Sequence, residues 1–116
     1  MELYRGAFLE KDPHKPWSIS FRERLREKFI QSVSELGSRC KDAGEWEKAI
    51  DCYQRGLEIE ELAEEFYYNQ MTCYKQLSLP AKAILVYRRC YKVLFSVLGI
   101  KPSSQTKALY ETIKSA

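Results

Sequence analysis

The sequence predicts an all-α fold in which antiparallel helix pairs stack into a right-handed array. Apolar residues recur at steps of three and four along most of the chain, which is the spacing of one helix face. Residues that break or end helices separate the segments with this pattern, most clearly Gly44, Pro80 and Gly99. A set of residue types also returns after 34 positions. Together these observations predict short amphipathic helices arranged as a repeat.

The repeat is clearest between residues 49–57 and residues 83–91. A shift of 34 positions pairs Ala49 with Ala83, Ile50 with Ile84, Tyr53 with Tyr87, Arg55 with Arg89 and Leu57 with Tyr91. This is the period of a tetratricopeptide unit, a helix pair that cannot bury its apolar side alone. The pattern therefore predicts a tetratricopeptide-like array with a long first helix and a C-terminal closing helix.

Capping and stop residues set the expected helix boundaries. Ser18 or Ser20 can cap the first long helix, and Gly44 is a natural stop for it. Proline fits the first turn of a helix, where its missing amide proton is not needed, and Pro80 is expected there. The later helices are expected at Trp46–Ile59, at about Leu62–Leu77, at Pro80–Leu98 and from about Ser103 onward.

The residues before the first long helix are expected to form a separate N-terminal segment, residues 1–17. Its apolar residues Leu3, Tyr4, Phe8 and Leu9 suit a short helix, and the prolines beyond them favour an irregular link. Trp17 is a candidate anchor for that link.

The helical spacing also predicts which side chains face inward. In the first helix the apolar stripe consists of Leu25, Phe29, Val33, Leu36 and Cys40. The other expected core residues are Tyr53, Phe66, Tyr67, Met71, Tyr74 and Tyr87, with Ala108, Leu109 and Ile113 available on the last helix. Tyr4, Tyr68, Tyr91 and Tyr110 exceed what the core needs, and tyrosine is enriched where proteins meet.

Composition limits the class of protein. With 116 residues, 45% of them hydrophobic, the chain is long enough for one folded domain but not for two. It has no apolar run long enough for a membrane span and no secretion signal. The net charge of +3 is small for a dedicated nucleic-acid binder. We therefore expect a soluble, cytoplasmic helical domain that does not contact a membrane.

The sequence offers few residues in patterns typical of a catalytic site or a metal site. The cysteines Cys40, Cys52, Cys73 and Cys90 form no C-x-x-C pair, and His14, the one histidine, is flanked by prolines. We interpret the cysteines as small core residues in a reducing compartment. No nucleophile stands beside a base at a recognisable spacing, and no glycine-rich phosphate loop is present. The chain is expected to be no enzyme and to hold no metal or cofactor.

Two polar surfaces remain as candidate sites. In tetratricopeptide arrays the first helix of each pair lines a concave groove, and the groove candidates here are Gln31, Ser34, Ser38, Lys41, Glu65, Tyr68, Asn69, Thr72 and Lys75. The candidate basic face consists of Arg22, Arg26, Arg88, Arg89 and Lys92. A polar helix face is solvated surface by default, so plain solvent exposure is the alternative for both sets.

Both ends of the chain resemble one known family. The opening ELYRGAFLEKD, followed by Trp17 and the run FRERLREKF at residues 21–29, resembles the start of the bacterial transcriptional activator domain. The close VLGIKPSSQTKALYETI, at residues 97–113, looks like the family's ending. The resemblance implies one part of a larger transcription regulator, in which a separate region binds DNA.

The function implied by this resemblance is a protein–protein interaction or oligomerisation module that couples a signal to transcription activation. Its partners would be a second copy, other domains of the same regulator, or the transcription machinery. The alternatives are a small-molecule sensor whose groove holds an inducer, and direct nucleic-acid binding through the basic helix faces.

Overall fold

The computed structural model describes residues 16–115 of the chain, and their side chains from residue 21 onward. The expected helix on Leu3, Tyr4, Phe8 and Leu9 and the expected loop around His14 lie outside the described residues. Pro16 and Trp17 belong to the first turn of a long helix, so the expected N-terminal segment of residues 1–17 overlaps that helix by these two residues.

Five α-helices follow one another through the described part of the chain, which contains no strand. They are α1 (Pro16–Asp42), α2 (Trp46–Ile59), α3 (Glu64–Gln76), α4 (Pro80–Leu98) and α5 (Ser104–Ser115). The all-α prediction is confirmed. Helix α2 packs on α3, α3 on α4 and α4 on α5, and α3 also contacts α5, which is the sequential packing of a helical-repeat array. The handedness of the array stays a prediction.

The observed helix boundaries agree closely with the expected ones. Helices α2 and α4 begin and end at the predicted residues, and Gly44 and Gly99 stop α1 and α4 with φ angles of +74° and +69°. Helix α1 begins at Pro16 rather than at a serine. Helix α3 begins at Glu64 rather than Leu62, because residues 60–63 form the turn that reverses the chain.

The chain divides into two compact units, Met1–Gln31 and Ser32–Ala116, so α1 runs from the first into the second. The described part of the first unit is helical and mostly exposed. Leu25, expected in the apolar stripe, is exposed there, and Phe29 is half-buried. A shallow cavity of about 170 Å³ lies along this helix between Phe21, Arg24, Leu25 and Lys28.

The core of the second unit lies between α1, α2, α3 and α4. Its largest fully buried residues include Tyr53, Tyr67, Phe66, Met71 and Leu94. Glycines bring the helices close together. A β-carbon at Gly56 would lie 2.6 Å from Cε2 of Phe66, and one at Gly37 would collide with the ring of Tyr53. Small residues opposite large rings therefore allow these helices to pack closely.

Other residues expected in the core also lie partly or wholly outside it. Leu36 and Ala108 are exposed, and Cys40, Tyr74 and Leu109 are half-buried. The repeat explains Leu36, because its equivalent 34 positions later is Gln70, which α2 covers. The amide Nε2 of Gln70 donates to Ile50 O at 3.2 Å and to Gln54 Oε1 at 3.3 Å. Within residues 16–115 no helix precedes α1 to cover Leu36 in the same way.

Candidate functional site

A seam of polar contacts joins the end of α1 to α3. Ser34 Oγ donates to Glu65 Oε2 at 2.7 Å, and Lys41 Nζ donates to Asn69 Oδ1 at 2.7 Å. Asn69 is itself held by a bond of 2.9 Å from its Nδ2 to Glu65 O. The structure therefore brings together four of the groove candidates, and two hydrogen bonds between them join the two helices.

The other groove candidates lie around this seam. Thr72 donates to Tyr68 O at 3.1 Å, a bond within α3, while Ser38 and Lys75 are exposed. Tyr68 is half-buried and lines a cavity described below. A groove function for these positions stays a prediction.

A second polar cluster ties α3 to the start of α5. Glu64, in the first turn of α3, accepts hydrogen bonds from Ser103 N at 2.8 Å and from Thr106 Oγ1 at 2.6 Å. Thr106 is buried, and its amide donates to Ser103 Oγ at 3.4 Å, which caps α5. We call Glu64, Ser103 and Thr106 the α5 clamp.

Electrostatics agree with a charged Glu64 in the α5 clamp. Partial burial by itself raises the pKa of this carboxyl group, but the hydrogen bonds from Thr106 and Ser103 favour the ionised form. The hydrogen bonds outweigh burial, and the pKa of Glu64 is lowered from its ordinary value. The carboxylate is therefore ionised at neutral pH and fixes the closing helix through charge-assisted bonds.

The α5 clamp forms one wall of a cavity of about 240 Å³. Its lining residues are Glu64, Glu65, Tyr68, Ser103, Gln105 and Thr106. Pockets for small organic ligands usually measure about 300–1,000 Å³ and are mostly apolar. This cavity is smaller, and each of its lining side chains carries a polar group, so it suits water or a single polar group better than an organic inducer.

Four aromatic rings form a continuous ladder from α5 onto α4. Tyr110 stacks on Tyr87 with ring centroids 4.0 Å apart, Tyr87 meets Tyr91 at 6.4 Å, and Tyr91 meets Phe95 at 6.2 Å. Lys114 Nζ lies 5.7 Å from the centre of the Tyr110 ring. We call Tyr110, Tyr87, Tyr91 and Phe95 the aromatic ladder. It begins in a packed contact between two helices and ends at the exposed Phe95.

The predicted basic face is divided between the two units. Arg22 and Arg26 are exposed on the part of α1 that belongs to the first unit. Arg88, Arg89 and Lys92 lie together on the exposed side of α4 in the second unit.

The described residues also bear on the metal and thiol predictions. Among residues 16–115 no group of three histidine, cysteine, aspartate or glutamate side chains is arranged to hold a metal ion. Cys73 and Cys90 are buried, as expected, whereas Cys40 and Cys52 are half-buried. Burial raises the pKa of Cys73 to about 11 and that of Cys90 to about 12, so both remain thiols at neutral pH.

None of the described helices is long and apolar enough to cross a membrane.

Sequence reasoning missed the α5 clamp and most of the aromatic ladder. An acidic run such as residues 58–65 is typical of a solvated helix start, but Glu64 and Glu65 each have a specific partner on another helix. The partners are 31 to 42 residues away, beyond any helical period. The one available signal was the serine–threonine pair Ser103 and Thr106, which has the spacing of an N-terminal cap.

Helices packed in sequence, with polar seams between neighbours, define the described part of the chain as a helical-repeat protein. The family model of the bacterial transcriptional activator domain matches residues 1–114. The chain therefore belongs to this family, whose members are domains of bacterial transcription regulators, as its two end motifs indicated. No curated protein and no solved structure is significantly similar to it.

Proposed function

We propose that the chain is a non-catalytic protein–protein interaction and oligomerisation module that couples a signal to transcription activation in its regulator. The observation that carries the proposal is the outer side of α4, where large apolar residues are exposed in a row beside arginine and lysine. Exposed apolar rows of this kind mark interaction surfaces. The polar seam of α1 and α3, by contrast, is already occupied by internal hydrogen bonds.

The proposed partners are a second copy, other domains of the same regulator, or the transcription machinery. A separate domain would bind DNA. This tetratricopeptide-like module would be its neighbour in a larger protein. The proposed location is the cytoplasm, where a bacterial regulator meets the chromosome.

The test is light scattering over a range of concentrations, together with a pull-down against the remaining parts of the regulator. An oligomer or a complex with those parts is the expected result. Alanine substitutions at Tyr68, Arg88 and Tyr91 would then locate the surface, since only the latter two lie on the exposed side of α4. A monomer at every concentration that binds no part of its regulator would contradict the proposal.

A small-molecule sensor is the second candidate, and the cavity beside Tyr68 is the observation in its favour. A thermal shift across a metabolite panel would test it. A shift that Glu64→Gln and Tyr68→Phe both abolish would support ligand binding at this cavity. If no metabolite of the panel changes the melting temperature, the sensor is rejected and the interaction module remains as the proposed function.

A further inference from the structure

The outer side of α4 is uncovered at the place where a further helix would continue the repeat. Tyr91 is the repeat equivalent of Leu57, 34 positions earlier. Leu57 is 5% exposed, whereas Tyr91 is 36% exposed. Helix α2 packs on α3, which follows it, and α4 reaches back to α2 through the bond from Arg89 Nη1 to Gln54 Oε1 at 3.3 Å. Within the described residues α4 has α5 alone after it.

The uncovered surface is a single apolar row. Tyr91, Phe95 and Leu98 stand at positions i, i+4 and i+7, so they share one side of the helix. Phe95 is 56% exposed and Leu98 is 51% exposed. We call these three residues the α4 stripe. It continues the aromatic ladder, so its inner end is anchored on Tyr87 and, through it, on Tyr110.

Geometry indicates what kind of element would fit the α4 stripe. In a stacked array the second helices of successive pairs follow one another along the same side, and the Arg89–Gln54 bond links α2 and α4 in this order. Helix α5 follows α4 as the first helix of a third pair would, and it covers Tyr87 but leaves Phe95 exposed. A helix alongside α4, on the side away from α2, would bury the α4 stripe and complete that pair.

Charge indicates the composition of this helix. Helix α4 carries four of the 19 basic residues and none of the 16 acidic ones, which leaves 15 basic against 16 acidic in the rest of the chain. The whole net positive charge therefore resides on α4. Lys92 is exposed within one turn of Phe95, and Arg88 is exposed within one turn of Tyr91, so both cations lie beside one edge of the α4 stripe.

We propose that the α4 stripe binds an amphipathic helix of a partner protein, in which aspartate and glutamate flank a row of apolar residues. The bound helix takes the position of the second helix of a third pair. The inference rests on the proposed interaction function and names the surface and the chemistry of the partner. Burial of the α4 stripe supplies the affinity, and the flanking charges supply orientation and selectivity.

A second copy of this chain fits the surface less well. Symmetric pairing of two α4 helices would bring Arg88 and Lys92 of one copy against the same cations of the other, and like charges at an interface are costly. The acidic residues 58–65 of a second copy offer Ile59 as their one largely exposed apolar side chain, at 58%. One isoleucine at the end of a helix cannot cover a row of three residues.

The test uses a fluorescent synthetic peptide of 18 residues with leucine at a helical spacing and glutamate on both flanks. Its twin has lysine at every glutamate position. Anisotropy titrations of the 116-residue chain should give saturable binding of the acidic peptide and at least tenfold weaker binding of the twin. Phe95→Ser should weaken the acidic peptide about tenfold and Lys92→Glu about fivefold.

Matched controls lie on α2. Ile59→Ser removes an apolar side chain of similar exposure, and Lys48→Glu reverses an exposed lysine, so both should stay within twofold of the unmodified chain. Circular dichroism checks that every variant is folded. Equal binding of both peptides, no binding at all, or no effect of Phe95→Ser would overturn the proposal.

Two further outcomes would assign the surface differently. Self-association that Phe95→Ser abolishes would mean that a second copy covers the α4 stripe. Binding of a DNA duplex that falls steeply with salt and disappears in Lys92→Glu would mean a nucleic-acid surface. Either result would overturn the acidic-helix proposal. Because the peptide titration does not depend on the regulator's other parts, its failure is distinct from a failure of the proposed function.

Discussion

Removal of the Glu64 carboxylate should release the closing helix α5. In Glu64→Ala, Ser103 N and Thr106 Oγ1 lose the acceptor that they reach at 2.8 and 2.6 Å. Thr106 is buried, so its hydroxyl group cannot turn freely to water. The substitution therefore removes two charge-assisted bonds from the contact between α3 and α5.

The expected loss of unfolding free energy is about 2 kcal/mol. A hydrogen bond to a charged group contributes about 1.5–3 kcal/mol, so two of them set an upper limit of about 6 kcal/mol. Glu64 is only half-buried, and solvent weakens both bonds. Thr106 also keeps the hydroxyl of Ser103 within 3.3 Å, which offsets part of the loss.

Urea denaturation at pH 7 measures this loss, and hydrogen exchange shows where it falls. Glu58→Ala is the matched control, because Glu58 is an exposed glutamate in the same acidic stretch. Amides of α5 should exchange faster in Glu64→Ala, while those of α2 should keep their protection relative to global unfolding. A stability within about 0.5 kcal/mol of the control would refute the importance of the α5 clamp.

The same carboxylate predicts a dependence on pH. The folded-state pKa of Glu64 lies below its ordinary value of 4.5, so its contribution is complete above pH 4.5 and is lost as pH falls through the folded-state value. The stability difference between the unmodified chain and Glu64→Ala should therefore shrink as pH falls below about 4.5. A constant difference down to pH 3 would contradict an ionised clamp.

Two further predictions concern packing and thiol chemistry. Gly56→Ala should destabilise the chain by about 1 kcal/mol in urea, because overpacking against Phe66 and Val33 exceeds the gain of about 1 kcal/mol in helix propensity; Ser38→Ala, at an exposed helical site, should not destabilise it. Cys90 should resist iodoacetamide in the native chain for as long as it stays buried, and mass spectrometry should find Cys40 alkylated first; equal rates would contradict the burial of Cys90.

Local sequence patterns were sufficient for the helices because helix ends depend on nearby residues. Gly44, Pro80 and Gly99 fixed the boundaries of α2 and α4 correctly. The start of α1 was less accurate, because a serine cap and Pro16 compete within a few residues. Family membership was also predictable, since the two motifs lie at opposite ends of the chain and the helical repeats fill the interval between them.

Spacing along one helix cannot tell which neighbour covers it. The repeat equivalents of Leu36 and Tyr91, which are Gln70 and Leu57, are buried, yet Leu36 and Tyr91 are exposed because they lie at opposite ends of the described stack. For the same reason the spacing could not predict the α5 clamp, because the partners of Glu64 become its neighbours only when α5 packs on α3. Periodicity predicts a face, and the order of the helices decides whether that face is buried.

The buried amide of Gln70 has a consequence for how α3 finds its place along α2. Apolar surfaces slide past one another at little cost, so a leucine here would tolerate several alignments. A slip by one helical turn, about 5.4 Å, would carry the Gln70 amide away from Ile50 O and Gln54 Oε1 and strand it in an apolar layer. The hydrogen bonds of the Gln70 amide thus favour one register of α3 along α2. An interface of apolar residues alone would select that register less sharply, because apolar contacts are not directional.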